Sequence, residues 1–192
     1  MSDEKFQNKY RIKSARATWH DYNGGAYFIT VCTKNREHFF GEIVQSTMQL
    51  SPIGQILCNN LQNVTIHYPY AEIPLFVVMP NHWHAIVFVD GENCRDVSRL
   101  NGKDVSRYVS TGETAKNKKM VEIAKHQSLL SWTIRGIKTA IKKYANENGI
   151  EFAWQTRFHD RIIRDKKMMN TVADYIENNV ARWDNDCFNM PM

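Results

Sequence analysis

Residues 74–89, PLFVVMPNHWHAIVFV, constrain the fold more than any other part of the sequence. Two short apolar runs in this segment flank a polar stretch that contains His82 and His84. Short runs rich in Val, Phe and Ile, bounded by Pro and Asn, indicate buried strands joined by a tight turn. Because side chains alternate along a strand, both imidazoles are expected on one face and Trp83 on the other.

Two imidazoles on one face of a rigid hairpin have the arrangement needed to supply two ligands to one metal ion. The pattern has an ordinary alternative, because His-x-His also occurs on the solvated face of strands that bind no metal. The apolar runs on both sides favour the metal hypothesis, since burying two unpartnered imidazoles is costly.

Composition sets broad limits on the function. The 192 residues indicate one domain with extra segments, and an apolar fraction of 43% is enough for an ordinary core. A net charge of +5 weakly favours an anionic partner such as nucleic acid. No run of about 18 apolar residues is present, so no membrane span is expected, and the polar N-terminus lacks the apolar core of a signal peptide. The cysteines are far apart and form no C-x-x-C pair, which fits reduced thiols and a cytoplasmic location: Cys32, Cys58, Cys94 and Cys187.

The order of predicted elements indicates an α+β fold. The elements are strands at 26–33, 75–79, 85–89 and 152–164, a short edge hairpin within 34–49, and helices at 51–67, 128–148 and 167–183. This order matches the ferredoxin-like split β-α-β fold, a four-stranded antiparallel sheet with helices on one face. A C-terminal helix carrying Tyr175 follows, and strands one and three are expected in the centre of the sheet.

Composition shifts divide the chain. Residues 1–24 form a basic N-terminal arm, 25–184 the main domain, and 185–192 a polar tail. Residues 91–126 are polar and contain the tetrapeptide DVSR twice, so we expect a flexible insertion there.

The last predicted helix supplies a possible nucleophile. Tyr175 and Asn179 are four residues apart and therefore share a face. A phenol is a poor nucleophile at neutral pH because its pKa is about 10, but a nearby divalent metal that polarises the electrophile offsets this. His82, His84 and the carboxamide oxygen of Asn179 would make a three-ligand site. The alternative is that Tyr175 is an ordinary half-buried helix residue.

Further candidates are basic or aromatic. Each has an ordinary structural alternative, either a solvated surface or the core. The predicted phosphate or base contacts are Arg135, Lys138, Lys142, Trp154, Arg161 and Arg164, and the residues expected to orient a metal ligand are His159 and Asp160.

Several motifs together resemble a known family. The segment MPNHWH resembles the HUH motif, in which a bulky apolar residue separates two His residues. Trp154-Gln155 followed by FHDRIIR, and Tyr175-Ile176 with Asn179, are similar to two further motifs of the same group. The chain therefore resembles the single-tyrosine transposases of the IS200-like superfamily, and within them the REP-associated tyrosine transposases.

This resemblance implies a mechanism. Single-stranded DNA, folded as an imperfect palindromic hairpin, would be cleaved with Mg²⁺ or Mn²⁺ held by His82, His84 and Asn179. Tyr175 would form a 5′-phosphotyrosine intermediate and later transfer the strand, so no nucleotide cofactor is needed. The REP-associated branch also favours a monomer over a homodimer.

Three alternatives remain. A non-catalytic single-stranded nucleic-acid-binding protein would keep the basic surface without needing Tyr175, His82 and His84 together. A metal-dependent phosphodiesterase would use water and leave no covalent product. A rolling-circle initiator is disfavoured, because such enzymes place Lys three or four residues after the tyrosine, where this chain has Asn178 and Asn179.

Overall fold

The computed structural model describes residues 20–91 and 128–189. Labels below count the described elements in chain order. The strands are β1 (Gly25–Cys32), β2 (Gly41–Val44), β3 (Thr47–Leu50), β4 (Ala71–Val78), β5 (His82–Val89) and β6 (His159–Ile163). The helices are α1 (Pro52–Gln62), α2 (Val64–His67), α3 (Leu129–Glu147) and α4 (Lys166–Glu177), with short 3-10 segments at Lys34–Arg36 and Val180–Asn185.

The main sheet has four antiparallel strands in the order β4-β5-β1-β6. Strands β5 and β1 occupy the centre, with Cys32 paired with His82 and Thr30 with His84. The α+β class and the four-stranded antiparallel sheet are confirmed. The hairpin expected within 34–49 is a separate two-stranded sheet, β2-β3.

Helices cover the two faces of the sheet unequally. The larger core lies between α1, α3 and one face, and it contains Trp83, Ala85 and Val87 from β5. A smaller cluster lies between α4 and the other face, and its buried members are Ile86, Ile163, Val172 and Ile176. Alternation along β5 therefore places Trp83 in the larger core and the two imidazoles on the α4 side.

Three predicted boundaries were wrong. The helix expected at 51–67 is interrupted at Asn63 and becomes α1 and α2. The last helix ends at Glu177 rather than at 183: the Asn178 amide still bonds to the Asp174 carbonyl, but the Asn179 amide donates to the Ile176 carbonyl, three residues back, and a 3-10 segment follows. The strand expected at 152–164 contains only β6, since Phe152 packs in the larger core and Trp154 makes just an isolated bridge with Thr33.

The two described segments meet at Asn23. The Leu129 amide donates to Asn23 Oδ1 at 3.0 Å, while Gly91 lies so close that an added Cβ would stand 2.4 Å from the Asn23 carbonyl oxygen. The predicted arm at 1–24 and insertion at 91–126 fall almost entirely outside the described residues. Within 20–91 and 128–189, no helix combines the length and apolar character needed to cross a membrane.

Candidate metal centre and active site

His82 and His84 begin β5 and are almost fully buried, with exposed fractions of 0% and 1%. Both lie on the α4 face of the sheet, and their Nε2 atoms are 3.0 Å apart. Two nitrogen atoms at this separation suit adjacent ligands of one ion, because metal–imidazole bonds are about 2.0–2.1 Å long.

Burial also sets the protonation of the pair. Desolvation lowers the pKa of His82 well below its ordinary value, and the neighbouring His84 lowers it further. Desolvation lowers the pKa of His84 to about 3. Both rings are therefore neutral at pH 7, which is the form that ligates metals.

The Nδ1 atom of each ring has its own hydrogen-bond partner. His82 Nδ1 is 2.7 Å from Asn81 Oδ1, and His84 Nδ1 is 2.8 Å from Thr30 Oγ1. These contacts leave both Nε2 atoms turned toward each other and toward α4. Asn81 and Thr30 are buried, so neither contact competes with bulk water.

Tyr175 reaches the pair from α4. Its Oη is 3.3 Å from His84 Nε2, and its ring packs edge-on against His84 and Phe28. Burial and, next, the Asp186 carboxylate raise the pKa of Tyr175, while a hydrogen bond with Asn179 opposes the shift. The phenol is therefore protonated at neutral pH.

Asn179 completes the arrangement just beyond the end of α4. Its Nδ2 lies 3.4 Å from Asp186 Oδ2, whereas its Oδ1 is buried and has no hydrogen-bond partner. A buried acceptor without a partner is costly unless something else binds it. Among the described residues no three His, Cys, Asp or Glu side chains form a possible metal site, so a third protein ligand would have to be of another type. An amide oxygen and two imidazole nitrogens are donor types that bind divalent ions.

The C-terminal segment, residues 183–188, packs against the two imidazoles. The Phe188 ring centre is 4.5 Å from that of His82 and 5.9 Å from that of His84. Arg36 holds this segment, because its guanidinium donates to the Cys187 carbonyl at 2.5 Å and lies over the Phe188 ring. Trp183 adds a second aromatic ring, 6.0 Å from His82.

The predicted basic helix residues lie elsewhere. Arg135, Lys138, Lys142 and Trp154 line a groove of about 680 Å³ on α3, in the layer that covers the opposite face of the sheet. Lys138 and Lys142 donate to the Gln155 and Phe152 carbonyls, so both fasten the 152–155 segment to α3. The structure therefore does not bring these residues together with Tyr175.

The strand β6 divides the remaining candidates between the two faces. Register places His159 opposite Thr30 and Arg161 opposite Phe28, so both lie on the imidazole face and are exposed. Asp160 is opposite Ile29 and belongs to the other face, where it cannot orient a ligand. Arg164 is exposed just after β6.

Sequence reasoning missed three residues that contact the rings: Asn81, Thr30 and Phe188. Asn81 had a signal, because it directly precedes His82 in the MPNHWH motif. No feature of the sequence distinguishes Thr30, since it is one β-branched residue among several in β1. Phe188 lies in a segment whose composition predicts only a polar tail.

Comparison with known proteins gives a relative and a fold. No protein-family model matches the chain. An uncharacterised protein of Haemophilus influenzae is 30% identical over 176 residues, which cover 91% of each chain. The structure of a REP-associated tyrosine transposase bound to a REP hairpin superposes with a TM-score of 0.52 at 20% identity, covering 88% of this chain and 74% of that one. The expected resemblance is thus confirmed in the fold. The chain belongs to one family with the Haemophilus influenzae protein, and its own fold is that of a REP-associated tyrosine transposase.

Proposed function

We propose that this protein is a metal-dependent single-stranded DNA transesterase of the tyrosine transposase class, acting on hairpin DNA. The observation that carries the proposal is the approach of Tyr175 Oη to within 3.3 Å of His84 Nε2; the buried, unpartnered Oδ1 of Asn179 supports it. The hairpin substrate is suggested by the REP hairpin bound to the transposase of the same fold.

His82, His84 and Asn179 would hold the ion. When bound, a divalent metal stabilises the negative charge that grows on the scissile phosphate. Two imidazoles favour Mn²⁺ over the more oxygen-preferring Mg²⁺.

Tyr175 would act as the nucleophile. Its Oη forms a bond to phosphorus while the bond from phosphorus to the 3′ oxygen breaks, leaving a 5′-phosphotyrosine and a free 3′-hydroxyl. The phenol loses one proton and the leaving oxygen gains one, so the step is balanced. Because one phosphoester replaces another, the reverse attack by a 3′-hydroxyl rejoins DNA without a nucleotide cofactor.

A covalent-capture assay tests this proposal. The protein is incubated with Mn²⁺ and a pool of labelled single-stranded hairpin DNAs, then run on a denaturing gel beside Tyr175→Phe. The matched control is Tyr144→Phe, which changes a half-buried tyrosine on α3. We expect a shifted band in the wild type and in Tyr144→Phe, and none in Tyr175→Phe. A band that persists in Tyr175→Phe, or cleavage without a protein-linked product, would refute the proposal.

A second candidate is a non-catalytic binder of single-stranded nucleic acid. The groove on α3 favours it, since Arg135, Lys138, Lys142 and Lys143 line that groove beside Trp154. The same assay separates the two functions, because a binder retards DNA on a native gel but gives no covalent band with any hairpin.

A further inference from the structure

The Nδ1 atoms of the two imidazoles have partners of different chemical character. We infer that Asn81 and Thr30 are positioning residues for the two imidazoles: Asn81 sets which ring nitrogen of His82 carries the proton, and Thr30 pairs with His84 Nδ1 in either tautomer, so that both Nε2 atoms can face a metal. This inference rests on the proposed metal site. It assigns to each of these two buried side chains a specific part in preparing one ligand.

The orientation of the Asn81 amide is fixed by its donors. Its Nδ2 donates to the Arg36 carbonyl at 3.1 Å and to the Phe188 carbonyl at 2.7 Å. Carbonyl oxygens only accept, so the NH₂ end of the amide must face them. The oxygen end therefore faces His82 Nδ1 at 2.7 Å.

This orientation determines the tautomer of His82. An amide oxygen cannot donate, so the contact requires a proton on His82 Nδ1. A neutral imidazole has one such proton, and Nε2 therefore presents a lone pair. That lone pair is directed at His84 Nε2, 3.0 Å away.

The Thr30 hydroxyl can pair with His84 in either tautomer of that ring, because a hydroxyl both donates and accepts hydrogen bonds. Without metal, the short contact between the Nε2 atoms needs one proton, and His84 supplies it because His82 Nε2 carries none. The Thr30 hydroxyl, 2.8 Å from His84 Nδ1, then donates to that nitrogen. With its Nε2 committed to a metal, His84 would carry its proton on Nδ1, and the same hydroxyl would accept a hydrogen bond from it. Charge and proton number on the ring do not change.

Mn²⁺ binding to Thr30 variants provides the first test. Thr30→Val keeps the shape and removes the hydroxyl, whereas Thr30→Ser retains a hydroxyl in the same place. The signal of free Mn²⁺ in electron paramagnetic resonance measures the affinity. We expect binding about 10- to 100-fold weaker in Thr30→Val and near wild-type binding in Thr30→Ser. Equal affinity in wild type and Thr30→Val, with both folded by circular dichroism, would overturn the role of Thr30.

Nitrogen-15 NMR of the imidazoles tests the inference without metal. In metal-free wild type we expect the His82 proton on Nδ1, and in Asn81→Leu we expect its Nδ1 preference to be lost. A His82 proton on Nε2 in the wild type would overturn the role of Asn81, even where Asn81→Leu does not fold. Wild-type protein that binds no Mn²⁺ but shows the expected tautomer would remove the proposed function and leave the role of Asn81 intact.

Discussion

The two faces of the main sheet are built from alternate residues of the same strands, yet they carry opposite kinds of side chain. The face under α1 and α3 is mostly apolar and includes the fully buried Trp83. The face under α4 has only a small apolar cluster, and beside it lie the buried His82 and His84. One face therefore supplies most of the hydrophobic stabilisation, which lets the other hold polar groups that burial alone would disfavour.

The largest expected effect is on the free energy of unfolding, and it differs between two neighbouring residues of β5, Trp83 and His84. Trp83→Ala should lower the free energy of unfolding by about 3–5 kcal/mol, because it empties the centre of the larger core. His84→Ala should cost about 1–3 kcal/mol by leaving Thr30 without its partner, and should abolish Mn²⁺ binding. Urea unfolding of the metal-free variants measures the two changes in stability. A greater loss of stability in His84→Ala than in Trp83→Ala would contradict the division between the faces.

A matched pair of isoleucines compares the two apolar clusters directly. Ile134 in α3 and Ile176 in α4 are both almost fully buried. Truncation to Ala should cost about 2–5 kcal/mol, with Ile134 near the upper end and Ile176 near the lower. The reason is that the half-buried Met168 and Met169 beside Ile176 can shift into the space. Thermal unfolding of both variants checks this, and an equal or reversed order would show that the smaller cluster is packed as tightly as the larger.

Acid should destabilise the protein through the imidazole face. Burial lowers the pKa of both rings, so the unfolded chain takes up protons near pH 6.5 while the folded protein does not. Stability is therefore complete above about pH 6.5 and falls as the pH drops, by up to about 1.4 kcal/mol per pH unit for each ring. Urea unfolding in chelator between pH 7.5 and 5 measures the slope. We expect stability to fall less steeply with pH in His84→Gln. An unchanged slope would show that the His84 imidazole does not cause the loss of stability in acid.

The smallest expected effect on stability is that of Phe188, in the C-terminal segment that packs against the imidazoles. Phe188→Ala removes the ring whose centre lies 4.5 Å from that of His82, where a phosphate would have to approach the proposed metal. We expect the rate of covalent DNA capture to rise about fivefold, with a change in unfolding free energy of about 1 kcal/mol or less, since the ring is half-buried. Phe39→Ala, which truncates a half-buried ring in the larger core, should not raise the rate. A slower Phe188→Ala variant would mean that the ring helps to bind DNA.

The sequence predicts what depends on local pattern. Alternation along β5 is sufficient to separate Trp83 from the imidazoles, and helical spacing is sufficient to bring Tyr175 near Asn179. Features that depend on pairing between distant segments could not be predicted. The face on which Asp160 lies depends on the register of β6 with β1, and a shift of one residue would reverse it. The bond from Asn81 to Phe188 joins residues 107 positions apart, and no local pattern indicates it.

The meeting of Gly91 and Leu129 at Asn23 has a consequence for evolution and for engineering. His82 and Val89 are the two ends of the eight-residue β5, so the imidazoles and the exit of the chain are about 23 Å apart. Because Gly91 and Leu129 both lie against Asn23, a change in the number of residues between them leaves both ends at the same place. Relatives can therefore vary in length at this point without moving Tyr175 or the imidazoles. A reporter domain grafted there would leave these side chains in place.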